Sequence, residues 1–335
     1  MLTTARELMA DNKGLLAMDE SMSNLHKRFE AVGIVPNEEN RRAYRELIVT
    51  APHLEDSLSG VILVEETIHQ ATREGLAFMD ILREKGIIPG VKVDEGTINL
   101  AGFPGEKITI GLDHLRERLQ CFSELGLRFA KWRAVIAVGS DMPSQGSIVA
   151  NTHALARYAA FCQEANVLPI VEPEVLMDGG HSIERSAEVT KAVLHELFRQ
   201  LRLQQVHLRC MILKPNMVIP GLTATVQASA MEVADATIDC LLETVPAAVA
   251  GIAFLSGGQS PELATEHLNA IHSLYENLPW PVTFSYSRAI QQPAIRVWMG
   301  KRENVAAAQR KLLERLGLLK LAGRGIYETR LERVG

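Results

Sequence analysis

The sequence predicts an α/β fold built as a single (β/α)8 TIM barrel, and three observations predict it. Short, apolar, β-rich runs alternate with longer segments whose apolar residues recur at three- and four-residue spacing, about eight times along 335 residues. No linker, low-complexity tract or charge block divides the chain, so residues 1–335 read as one domain with a short C-terminal tail from about 318. Finally, the C-terminal ends of the apolar runs carry charged residues, and that end of the strands is where a barrel assembles its chemistry.

The first run, GLLAMD (14–19), closes on Asp19 and is followed by Glu20 and Ser21. GVILVEE (60–66) ends on Glu65 and Glu66, and GVKVD (90–94) carries Lys92 and Asp94. RFAKWRAVIA (128–137) holds Lys131 and Arg133, two apart and therefore on one face of a strand. VLPIVEPE (167–174) holds Glu172 and Glu174 in the same relation. RCMILKP (209–215) carries Lys214, AGIAFLS (250–256) ends on Ser256, and PVTFSY (281–286) carries Ser285, with Arg288 just beyond. Between the runs, IERSAEVTKAVLHELFRQLRLQ and SPELATEHLNAIHSLYEN have helical periodicity, and Ser260-Pro261-Glu262 is a strong helix start.

A single charge at a strand end is ordinarily a solvated rim residue. Recurrence on strand after strand is not what solvation predicts, and it points to lysines and carboxylates converging in the barrel mouth. Ser256-Gly257-Gly258 reads as a turn when taken alone. After a late strand, however, its free N–H groups suit a phosphate, and Arg288 suits the same dianion.

Composition removes several function classes. A formal charge of −5 gives no electrostatic footprint for nucleic acid. The four cysteines are far apart with no CxxC, the pattern of free thiols in a reducing compartment. MLTTARELMADNKG has no signal-peptide apolar region, and no segment approaches the ~18 apolar residues of a membrane span, so the expected setting is the cytoplasm. The histidines are scattered without HExxH, and His267 and His272 read as surface or packing residues. P-loop and GxGxxG patterns are missing too, so neither a metal nor a nucleotide cofactor is expected.

Lys214 is the most informative residue, because an ammonium in the apolar stretch MILKPNMVIPG is expensive unless paired. Desolvation or a neighbouring cation such as Lys131 lowers a lysine's pKa and makes the amine a nucleophile. A neutral amine condenses with a carbonyl to an iminium, which accepts the electron pair of a breaking C–C bond. Carboxylates beside it carry the protons. Two cationic or Gly/Ser-rich patches anchor two phosphates, which describes a Schiff-base aldolase acting on a phosphorylated sugar.

With AMDES, GVKVDEG, FAKWR, PIVEPE, LKPNMVIPG, GIAFLSGGQS and TFSYSRA in that order, the chain resembles the class I fructose-1,6-bisphosphate aldolases from GLLAMDES to about residue 315. The resemblance implies that Lys214 forms the Schiff base and that Asp19 positions and polarises the reacting hydroxyls. By the same resemblance Glu172, with Glu174 close behind it, is the general acid/base, and Lys131 supports the charge changes at the carbinolamine. Arg133, Lys92 and Ser21 match the 6-phosphate region. Ser256, Gly257 and Arg288, with Ser285 and Tyr286 alongside, match the 1-phosphate site. A metal-free homotetramer is implied as well.

The chain departs from the family pattern at Asn24, where a serine is usual, and at Ser287, where glycine is common. Animal members often end on a tyrosine that assists proton transfer, whereas here the last tyrosine is Tyr327 and its role stays open. Two other readings stay open on sequence: a Schiff-base enzyme for a one-phosphate ketose or sedoheptulose bisphosphate, and a barrel that has lost catalysis. Joint retention of Lys214, Glu172, Lys131 and Asp19 argues against the latter.

Overall fold

A computed structural model describes residues 1–333. Its centre is a closed barrel of eight parallel strands: Gly14–Ala17, Leu58–Leu63, Ile88–Lys92, Phe129–Ile136, Leu168–Val175, Ile212–Leu213, Ile252–Phe254 and Val282–Tyr286. Each pairs with its neighbours in sequence, and the eighth closes on the first through Leu15↔Ser285 and Leu16↔Tyr286. Long helices such as Gln145–Glu164, Ile183–Leu203 and Ala230–Thr244 return the chain between strands. Among the described residues, no helix is long and apolar enough to cross a membrane.

Side chains alternate along a strand, so the barrel interior can be read directly from the sequence. Its lower layers are Leu15, Ala17, Ile62, Ile88, Phe129, Leu168, Ile170, Ile212 and Ala253, sealed from below by Ala5 and Leu8 of the helix Leu2–Leu8. Phe129 fills the axis because two neighbours lack side chains. A Cβ on Gly90 would stand 2.3 Å from its ring, and one on Gly60 would stand 3.3 Å from it. Either substitution forces an overpacked core to shift, at typically ~1–3 kcal/mol. Two residues up each strand, the same face turns charged: Asp19 follows Ala17, Lys131 follows Phe129, Glu172 follows Ile170 and Lys214 follows Ile212. The alternate residues, among them Trp132, Val171, Leu213 and Phe254, face outward into the helix layer.

Four sequence expectations change. The second strand stops at Leu63, and Glu65 and Glu66 open the short helix Glu65–Ile68, where acidic residues suit the helix N-terminus. Glu66 pairs outward with Arg41 at 2.5 Å and has no part in the barrel mouth. The sixth strand shrinks to Ile212–Leu213, because Leu208–Cys210 forms a 3-10 turn instead. A hairpin, Thr97–Asn99 with Lys107–Thr109, was not foreseen; its first strand is exposed throughout, so it carries no burial pattern. Helix Val305–Ala322 continues beyond residue 318, with Leu318 and Leu319 buried, and the tail starts only after it.

His267 and His272 both lie on helix Pro261–Leu274, and burial pulls each imidazole from 6.5 down to about 4. The unfolded chain therefore binds more protons between those values, so the stability they confer is full above pH 6.5 and lost as pH falls through 4. For His267, 2 % exposed, the acid limit is about 3 kcal/mol. Urea midpoints should fall between pH 7 and pH 4.5, and His267→Asn should flatten that fall; an equally steep decline would refute the assignment.

Candidate active site

The charged upper layer of the barrel opens into a cavity of about 750 Å³. It is lined by Asp19, Ser21, Lys92, Lys131, Arg133, Glu172, Glu174, Lys214, Ser256, Gly257, Ser285 and Arg288, so the expected site residues are brought together. On its floor the ionic groups form one chain. Lys214 Nζ lies 3.1 Å from one Glu172 oxygen, and Lys131 Nζ lies 3.0 Å from the other. Lys131 also lies 2.6 Å from Asp19 Oδ2. All four residues are at most 7 % exposed. Two carboxylates balance two ammoniums, which is how the barrel tolerates charge this deep.

This arrangement differs from the picture of a lysine desolvated among apolar side chains: the partner in contact with Lys214 is a carboxylate that it shares with Lys131. Burial pushes the Glu172 carboxyl up, but Lys131 and Lys214 more than offset it and hold its pKa below the ordinary value. For Asp19 the same contest, burial against Lys131, Lys214 and Lys92, ends at about 2. Burial works against the Lys131 ammonium, yet Asp19 and Glu172 outweigh it and raise its pKa. At neutral pH, Glu172 is therefore an ionised base beside Lys214, and Lys131 is a fixed positive charge.

Cations on one side of the mouth are already partnered. Lys92 lies 2.6 Å from Asp94 Oδ1, and Arg133 Nε pairs with Glu174. Burial opposes the Arg133 guanidinium, but Glu174 keeps it firmly charged. Ser21 caps helix Met22–Glu30, accepting from the Asn24 N–H at 3.4 Å, so Asn24 enters the cavity lining from the first turn of that helix.

On the opposite side, Ser256-Gly257-Gly258 turns with φ of +54° and +76° at the two glycines, a region that favours glycine. Side chains there would meet Met177, whose atoms lie 3.3 Å and 2.9 Å from the two would-be Cβ positions. Arg288 opens helix Arg288–Trp298, and its Nη2 is 3.8 Å from the would-be Gly258 Cβ. Ser285 Oγ is buried with no hydrogen-bond partner among the described residues, an unsatisfied group on the cavity wall. Ser287 has φ of −108°, so the backbone there does not require the glycine that the family pattern favours.

Tyr286 departs from expectation. It faces outward and donates to the Ala264 carbonyl at 3.0 Å, because its strand position has the opposite parity to Ser285. Tyr327 is also away from the cavity lining; it is buried, with its hydroxyl donating to Glu332 at 2.9 Å. Sequence reasoning missed Lys27 and Arg28, which line the mouth from helix Met22–Glu30, Arg28 paired with Glu20 and donating to Gln292 at 2.9 Å. Helical spacing from Asn24 was the available signal. Among the described residues, no three His, Cys, Asp or Glu side chains are grouped as metal ligands.

The family model "Fructose-bisphosphate aldolase class-I" matches residues 1–334. A probable class 1 fructose-bisphosphate aldolase of Xanthomonas axonopodis pv. citri is 54% identical over 326 residues, 97% of each chain. Fructose-bisphosphate aldolase 2 of Caenorhabditis elegans is 48% identical over 311 residues, 93% of this chain and 85% of that one. Among solved structures, the fructose-bisphosphate aldolase of Plasmodium falciparum, in a ternary complex with TRAP and a small-molecule inhibitor, superposes with a TM-score of 0.96. That chain is 43% identical, with 98% of this chain and 94% of that one covered.

Proposed function

The chain belongs to the class I fructose-bisphosphate aldolases, and from that premise we propose that Lys214 is its Schiff-base residue, with Glu172, Lys131 and Asp19 as the proton and charge machinery. The protein is a lyase, cleaving fructose 1,6-bisphosphate reversibly to dihydroxyacetone phosphate and glyceraldehyde 3-phosphate. The observation that carries the assignment of roles is the continuous ionic chain from Lys214 through Glu172 and Lys131 to Asp19.

Glu172 takes a proton from the Lys214 ammonium across 3.1 Å, which frees the amine to add to the C2 carbonyl of the open-chain sugar. The protonated Glu172 then gives that proton to the departing carbinolamine hydroxyl, and water leaves an iminium. Removal of the C4 hydroxyl proton by a carboxylate breaks the C3–C4 bond. Its electron pair moves into the iminium as an enamine, and the aldehyde product departs. Protonation at C3 and hydrolysis then return dihydroxyacetone phosphate and free Lys214. Throughout, Lys131 keeps the pocket electrostatically balanced as Glu172 gains and loses its charge.

Ser256, Gly257, Ser285 and Arg288 are assigned to the 1-phosphate, supported by the unsatisfied Ser285 Oγ and the glycine backbone. Ser21, Lys92 and Arg133 are assigned to the 6-phosphate, where the Lys92–Asp94 and Arg133–Glu174 pairs must share their cations with the substrate. Borohydride reduction in the presence of dihydroxyacetone phosphate, followed by peptide mapping, is expected to leave one covalent adduct, on Lys214. An adduct on Lys131, or none, overturns the roles.

A further inference from the structure

We infer that His267 is a positioning residue for the Ser256–Gly258 turn, acting through Gln259, an inference that rests on reading that turn as a phosphate anchor. His267 is buried on helix Pro261–Leu274 and is not part of the cavity lining. Its Nδ1 lies 2.5 Å from Gln259 Oε1, and the Gln259 Nε2 donates to the Ser256 carbonyl at 2.9 Å. An amide oxygen only accepts, so this contact selects the His267 tautomer that carries its proton on Nδ1. That donor in turn fixes which way the Gln259 amide faces. The backbone N–H of Gln259 donates to the same Ser256 carbonyl at 3.1 Å, so this oxygen is held twice.

The consequence follows from peptide geometry. In a planar trans peptide, the carbonyl of one residue and the N–H of the next point in opposite directions. Holding the Ser256 oxygen toward Gln259 therefore turns the Gly257 N–H away from it, and Gly257 is one of the residues that line the cavity. The N–H groups of Gly257 and Gly258 make no hydrogen bond to a backbone carbonyl among the described residues, so they stay free for an anion. Glycine populates both signs of φ about equally, so the two residues have no preference of their own that holds this peptide plane. The His267–Gln259 relay supplies the constraint from behind the loop.

The test compares KM and kcat for fructose 1,6-bisphosphate in the full chain and in His267→Phe, Gln259→Met and His267→Asn, with Arg288→Ala reporting on the anchor itself. His267→Phe and Gln259→Met are each expected to raise KM about tenfold, the scale of one lost hydrogen bond. Turnover should stay within about threefold, the split expected when binding rather than chemistry is lost. His267→Asn, whose amide N–H stands near the former Nδ1–H, should restore KM. If Arg288→Ala raises KM while the Phe and Met variants leave it unchanged, the positioning role is overturned and the anchor stands. If Arg288→Ala leaves KM unchanged, the anchor reading fails, and the relay's purpose with it. A loss of kcat that His267→Asn does not restore marks a purely structural residue and also overturns the inference. Should His267→Phe not fold, Gln259→Met cuts the same relay at its middle and decides on the same criterion.

Discussion

Lys214→Met should lower turnover of fructose 1,6-bisphosphate by on the order of 10⁵, the scale on which removal of a covalent nucleophile acts in enzymes that depend on one. Methionine nearly conserves volume in the buried site, so the barrel should keep its packing. It cannot form an iminium, however, and the borohydride adduct should vanish with the activity. The charge chain predicts a secondary effect. Without Lys214, Glu172 keeps only Lys131 at 3.0 Å, and the floor gains a net negative charge. The Glu172 carboxyl should therefore titrate at higher pH than in the native protein, since Lys214 is one of the cations holding it down. Carbonyl-region infrared spectra across a pH series measure that shift. A variant retaining more than a few per cent of native turnover would exclude Lys214 as the covalent residue.

Glu172→Gln should lower kcat by roughly 10²–10⁴, the range for loss of one general acid/base. Unlike Lys214→Met, it leaves the amine in place, so trapping of the adduct should persist at a slower rate; rapid-quench borohydride experiments separate the two. Stability should fall as well, because Lys131 and Lys214 lose the carboxylate they share and the floor becomes net positive. Removing one partner of a buried ion pair costs about 3–5 kcal/mol. The remaining Lys131–Asp19 contact and the amide oxygen of glutamine make that a ceiling. Chemical denaturation gives the difference directly, and native kcat in Glu172→Gln would remove Glu172 from the proton path.

Because a strand turns every second residue to the same face, Lys131 and Arg133 were bound to share a side, as were Glu172 and Glu174. The same rule places Lys214 above Ile212. Tyr286, by contrast, was grouped with the phosphate site from its nearness in sequence to Ser285, and one residue of parity turns it out against Ala264. Glu65 and Glu66 look like strand-end carboxylates until the chain leaves the sheet at Leu63 and begins a helix. Arg28 was passed over because it lies on a helix, and its approach to the mouth depends on how Met22–Glu30 packs across the barrel end.

Local chemistry was therefore readable from the chain alone: eight strand-and-helix repeats, an ammonium in an apolar run, carboxylates at strand ends, glycines in a turn after a late strand. Each depends only on residue type and short-range periodicity. Which carboxylate meets which lysine was not readable, because Glu172, Lys131 and Asp19 come from different strands and meet only when the barrel closes in register. Tertiary structure also decided the role of His267, since a side chain eight residues beyond Gln259 reaches back to it only through the path of an intervening helix. Sequence selects the groups, and closure of the barrel sets the ångström-scale distances on which proton transfer and ion pairing depend.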